Sequence, residues 1–144
     1  MPTRTARTAW TGTLMDGSGQ VELSSSKVAT LDVSFPKRIA DEADGTTSPE
    51  ELIAAAHTSC YAMQFSALAA NAGGTPRNVE VTADVKVEPE GGGLRITTIK
   101  LTVRGKVEGL DAEAFKRVAE EAKDTCPVSK ALTGVEITLD AQSD

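Results

Sequence analysis

The sequence predicts an α+β fold of antiparallel sheets around one long buried central helix. Alternating stretches rich in Thr, Val and Leu come in two groups, an apolar helical stretch from Leu52 to Ala70 stands between them, and the order βββ-α-ββ-α-β lacks regular βαβ alternation. The chain has 144 residues and no Gly/Ser-rich or Pro-rich linker, so 1–144 reads as one domain. Of its residues 40% are hydrophobic but only 3% aromatic, so the core must be built from Ala, Val, Leu and Ile. A chain this short leaves much of its surface uncovered, which makes burial against a second copy a natural supplement.

From Thr5 to Phe35 the alternation reads as two or three antiparallel strands, with a turn at Asp16-Gly17-Ser18-Gly19 and a break near Ser24-Ser25-Ser26. Pro36 to Thr47 has neither helical nor strand period and reads as an exposed loop of the kind that often carries function. Ser48-Pro49-Glu50-Glu51 is a helix start: Ser48 can cap, Pro49 suits the first helical position, and Glu51 stands where a capping box places its carboxylate. The helix should run to about Asn71 and end at Gly73-Gly74. Being apolar around most of its circumference, it should be buried on nearly all sides. Val79 to Val87 and Leu94 to Val107 alternate on either side of Glu90-Gly91-Gly92-Gly93 and read as a long hairpin. Asp111 opens an amphipathic helix with Ala112, Phe115, Val118, Ala119 and Ala122 on one face. Cys126-Pro127 interrupts it, and a short helical turn and a strand from Val135 to Leu139 finish the chain.

A formal net charge of -6 repels polyanions, which argues against nucleic acid as a partner. No apolar run approaches the ~20 residues that span a bilayer, and Met1 to Trp10 holds no apolar signal core, so no membrane partner and a cytoplasmic location are expected. In that reducing compartment Cys60 and Cys126 are expected to be free, catalytic or metal-bound before they are a permanent disulfide.

Cys60 lies mid-helix, and the bland reading of it is a small buried hydrophobe. Cys126 is less bland: at a helix end before proline its backbone leaves the helix, which gives the thiol room to move as a resolving cysteine must. For Cys60 to act as a nucleophile a cation must favour its thiolate, since an apolar helix raises a thiol's pKa. Arg38, in the polar loop, is the best candidate. Glu50 is a freer carboxylate than Glu51, which has a capping task. Ten helical positions separate Glu50 from Cys60, about 15 Å along the axis, so one site holding both would draw them from two subunits.

Two segments carry a resemblance. Thr47-Ser48-Pro49-Glu50-Glu51-Leu52-Ile53-Ala54-Ala55-Ala56-His57-Thr58-Ser59-Cys60 and Thr125-Cys126-Pro127-Val128-Ser129-Lys130-Ala131-Leu132 resemble the signature segments of the OsmC/Ohr family of organic hydroperoxide reductases, and the order of elements fits along almost the whole chain. The resemblance implies an intertwined homodimer with two sites at its interface, Cys60 as peroxidatic and Cys126 as resolving cysteine, and Arg38 and Glu50 positioning thiolate and peroxide. It implies an organic hydroperoxide as substrate, reduction of the disulfide by a dihydrolipoyl group or another dithiol, and no metal or organic cofactor. The Cys-Pro-Val-Ser-Lys-Ala-Leu segment and an arginine shortly before the helix resemble the osmotically inducible branch. The hydroperoxide-resistance branch has its arginine nearer the N-terminus, where Arg4 and Arg7 stand.

His57, three residues before Cys60, offers with Cys126 a set of three soft-metal ligands, one short of a structural zinc site. As a base for a thiol hydrolase it lacks a third orienting residue, and a helix histidine with a satisfied hydrogen bond is the default reading. The competing function is a binding or redox-sensing module that holds a hydrophobic ligand at the subunit interface.

Overall fold

A computed structural model describes residues 1–144. The chain divides into two compact units, residues 1–52 and 53–144, the boundary falling just inside a helix that begins at Pro49.

In the first unit, β1 (Arg7–Thr11), β2 (Ser18–Glu22) and β3 (Thr30–Val33) form an antiparallel sheet with β2 in the middle. The loop expected after it begins with a single helical turn, α1 (Phe35–Arg38), because Ser34 caps it by accepting the Lys37 N–H at 3.3 Å. Asp41 to Gly45 is exposed, as a polar loop should be. Val21 is the one apolar side chain buried in this unit, and Trp10, Leu14, Met15 and Ile39 stand exposed.

α2 (Pro49–Asn71) starts where its sequence signals place it. Ser48 Oγ accepts the Glu51 N–H at 3.1 Å, but the reciprocal half of the capping box is missing: the Glu51 carboxylate takes the Thr47 hydroxyl instead. The expected burial on nearly all sides is also corrected. Within one chain, beyond Glu50 in its first turn, α2 buries only the stripe His57, Tyr61, Phe65 and Ala69, each four residues from the next, while Ala55, Ala56, Ala67 and Ala70 are exposed and Met63 is 73% exposed.

The second unit holds the core. β4 (Thr75–Glu90) and β5 (Gly93–Glu108) form the long hairpin, turning through Gly91 and Gly92 at φ 56° and 81°, a left-handed pair that glycine adopts without strain. Gly105 fits against a bulge in β4, since a Cβ there would lie 2.2 Å from the Asn78 carbonyl oxygen. α3 (Ala112–Thr125) is capped by Asp111, whose carboxylate accepts the Ala114 N–H at 2.8 Å. It buries Phe115, Val118, Ala119 and Ala122, whereas Ala112, placed on that face by its spacing, is exposed at the first turn. α4 (Pro127–Ala131) follows, and then β6 (Glu136–Ser143). β6 pairs with β5 in parallel, a departure from the wholly antiparallel expectation: a helical crossover returns the chain in its starting direction. Ile99, Leu101, Val103 and Val107 of β5 meet the α2 stripe and the α3 face, and the Phe65 ring lies 5.2 Å from that of Phe115. Each large side chain buried here contributes about 1.5–3 kcal/mol.

Candidate active site

Two pairs of chemically active side chains stand out, each inside one unit. In the first unit, Arg38 at the end of α1 meets Glu50 in the first turn of α2. Its Nε lies 3.0 Å and 3.1 Å from the two carboxylate oxygens, and its Nη2 lies 2.6 Å from Oε1. Glu50 is buried and Arg38 partly so, which gives this ion pair a fixed geometry that a surface pair lacks. Arg38 also lines a cavity of about 420 Å³ whose other walls include Trp10, Leu14, Val33 and Phe35. The cavity therefore has apolar walls and a guanidinium on its lining.

In the second unit, Cys60 on α2 meets Cys126 at the break between α3 and α4. Both thiols are free, and their sulfurs are 3.1 Å apart. Cys126 leaves the helical conformation at ψ 126°, as the following proline requires. The freedom expected of its thiol is not found: Cys126 is fully buried in the core, already in contact with Cys60, which is partly accessible. Burial pushes the Cys60 thiol up from its ordinary pKa, and its hydrogen bond and electrostatic interaction with Cys126 add to this, while the Val128 backbone N–H pulls it down. No basic side chain of this unit offsets the rise.

Around the thiols stand His57, which has the hydrogen bond expected of it, and three partners that sequence reasoning missed, Gln64, Thr125 and Ser129. His57 Nε2 lies 2.7 Å from Ser129 Oγ, one helical turn from the thiols, and the Gln64 side-chain amide donates to Thr125 Oγ1 at 2.9 Å on the other side. Burial holds the His57 imidazole below its ordinary pKa, and its Nδ1 is buried without a hydrogen-bond partner. The signal lay in the spacing: 57, 60 and 64 share a helix face, and 125, 126 and 129 cluster at the helix break. His57, Cys60 and Cys126 do not gather into a metal cluster, and His57 Nε2 is taken by a hydroxyl.

Fold and site together define a two-cysteine α+β protein whose reduced thiols stand in contact. The chain belongs to the OsmC-like protein family, whose pattern matches residues 41–140. It is 39% identical over 133 residues to the peroxiredoxin OsmC of Escherichia coli (strain K12), covering 92% of this chain and 91% of that one. To the organic hydroperoxide resistance protein OhrA of Bacillus subtilis (strain 168) it is 32% identical over 123 residues, 82% of this chain and 84% of the relative. The crystal structure of an organic hydroperoxide resistance protein from Elizabethkingia anophelis superposes with a TM-score of 0.79 at 26% identity, covering 100% of this chain and 98% of the other. No helix is long and apolar enough to cross a membrane.

Proposed function

We propose that the protein is a thiol-dependent peroxidase that reduces organic hydroperoxides to alcohols. The observation that carries this reading is the 3.1 Å contact between a partly accessible Cys60 sulfur and a buried Cys126 sulfur. An oxidant arriving from solvent meets Cys60 first, and Cys126 is in place for the second step. The Cys60 thiolate attacks the distal peroxide oxygen; the O–O bond breaks, an alcohol leaves, and a sulfenic acid remains. Cys126 then closes the Cys60–Cys126 disulfide, and an external dithiol, with a dihydrolipoyl group as the favoured class, restores both thiols.

The raised pKa of Cys60 means that this chemistry needs a cation. Arg38, held by Glu50, is the group to supply it, in a homodimer where the arginine of one copy serves the Cys60 of the other. The exposed apolar side of α2 supports such a partner. The apolar walls beside Arg38 favour an alkyl hydroperoxide over hydrogen peroxide.

Intact mass measured before and after one equivalent of tert-butyl hydroperoxide tests the reading. The reduced native chain is expected to lose two hydrogens and yield a linked Cys60–Cys126 peptide pair, and Cys60→Ser to remain without that link. A Cys60 that stays a thiol sinks the peroxidase. The cavity would then favour a carrier of hydrophobic ligands, which consumes no hydroperoxide when dithiol is supplied.

A further inference from the structure

The two thiols are the middle rung of a three-rung ladder. Along α2 run His57, Cys60 and Gln64, and opposite them, in reverse order, stand Ser129, Cys126 and Thr125, joined at 2.7, 3.1 and 2.9 Å. Each outer rung is a hydrogen bond, and the two flank the sulfur contact on either side. They lie where the backbone is least able to hold position by itself. Cys126 is non-helical, Pro127 has no N–H to donate, and α4 spans only five residues. The Cys126 N–H closes α3 on the Ala122 carbonyl at 2.9 Å and its carbonyl starts α4 by accepting the Lys130 N–H at 3.0 Å, so the thiol sits at the joint between two helices.

The Gln64–Thr125 rung is also directional. Thr125 donates its hydroxyl to the Glu121 carbonyl at 2.7 Å, which leaves its lone pairs to face the Gln64 amide. His57 makes its one side-chain hydrogen bond to Ser129, and both residues are buried. A polar bond in such a place contributes less to stability than to fixing one arrangement over others.

We propose that His57–Ser129 and Gln64–Thr125 form a clamp that holds Cys126 against Cys60 and so sets the effective concentration of the second thiol. All four are positioning residues, since their side chains bond to one another and act on the chemistry only through the thiols. Forming the disulfide then needs the sulfurs to approach by only about 1 Å. The inference rests on the peroxidase reading for its consequence. In the closing step the Cys126 thiolate attacks the Cys60 sulfenic sulfur, the S–S bond forms, the S–O bond breaks, and the departing hydroxide takes a proton to become water. In the competing step a second hydroperoxide transfers one oxygen to the sulfenic acid, giving a sulfinic acid and another alcohol. The clamp determines which step wins, because a displacement of about 1 Å can slow an intramolecular reaction by about 100-fold.

The clamp is tested first without peroxide. The native chain, His57→Ala, His57→Gln and Gln64→Ala are equilibrated with mixtures of glutathione and glutathione disulfide, and the ratio of internal disulfide to Cys60–glutathione mixed disulfide is read by mass. A fall in effective concentration of about 10-fold or more is expected for His57→Ala and Gln64→Ala. His57→Gln, whose side-chain amide can donate or accept near the place of Nε2, should recover most of it. An unchanged ratio in either folded alanine variant overturns the proposal, as does a glutamine variant no better than alanine. Gln64 lies at the less buried rung, so its variant decides the matter if His57→Ala does not fold. With tert-butyl hydroperoxide in excess, the same variants should accumulate more sulfinic acid than the native chain. If glutathione reveals the clamp but hydroperoxide leaves the native Cys60 a thiol, the peroxidase reading falls and the clamp stands.

Discussion

The two units of this chain hold their reactive pairs by opposite means. Arg38 and Glu50 stand in a unit with almost no core of its own, and three short charge-assisted contacts fix them. Cys60 and Cys126 stand in a unit whose sheet, two helices and aromatic cluster are packed together, and the sulfurs meet because the core brings them there. Positions set by charge answer to the loss of a charge, and positions set by packing answer to the loss of volume. The two pairs should therefore fail under different perturbations.

The largest effect is expected from Phe115→Ala, which removes a fully buried ring from the second unit and should cost about 3–5 kcal/mol in urea unfolding. Val21→Ala, the corresponding truncation in the first unit, should cost about 1.5 kcal/mol; equal costs would break the contrast between the units. Glu50→Gln keeps the shape of the carboxylate and removes its charge from a partly buried pair. It should cost about 1–3 kcal/mol and lower peroxide turnover while the glutathione equilibrium of the thiols stays put.

Smaller again is a pH effect from His57. Burial lowers its pKa in the folded state below the ordinary 6.5, so the unfolded chain binds the proton more readily. Stability is complete above pH 6.5 and declines as pH falls towards the folded-state value; unfolding midpoints measured down that range should fall less steeply in His57→Gln. Arg77→Ala should have the smallest effect. It breaks an ion pair to Glu108 at 2.9 Å, but both side chains are more than half exposed, and thermal melting should not register the loss. A clear drop in melting temperature there would mean that exposure is not what separates this pair from Arg38–Glu50.

Apart from the single turn of α1, the elements of the fold were legible because each rests on a local signal. The Ser48-Pro49 start of α2, the Asp111 cap and the Gly91-Gly92 turn all stand in the structure. The parallel pairing of β6 was not legible, since strand direction follows from how a crossover packs and no residue of Glu136–Ser143 encodes it. Nor was the one-sided burial of α2: periodicity tells which residues avoid water and says nothing of whether this chain or another covers them. At the site, the cysteines were legible as a pair from residue type and family resemblance. Gln64, Thr125 and Ser129 were grouped with them only by spacing, and which partner each takes was not legible, because that is settled only when a helix break and a distant helix meet.

The contact between Cys60 and Cys126 joins positions 66 residues apart in sequence. A bond between them would tie off nearly half the chain and strip conformational freedom from the unfolded state, an advantage to the native state of about 4 kcal/mol by loop-closure entropy. The oxidised chain should accordingly outlast the reduced one under heat or proteolysis. Every turnover would then alternate a tougher and a more fragile form of the same molecule, and an unmet demand for reductant would leave the population in its more durable state.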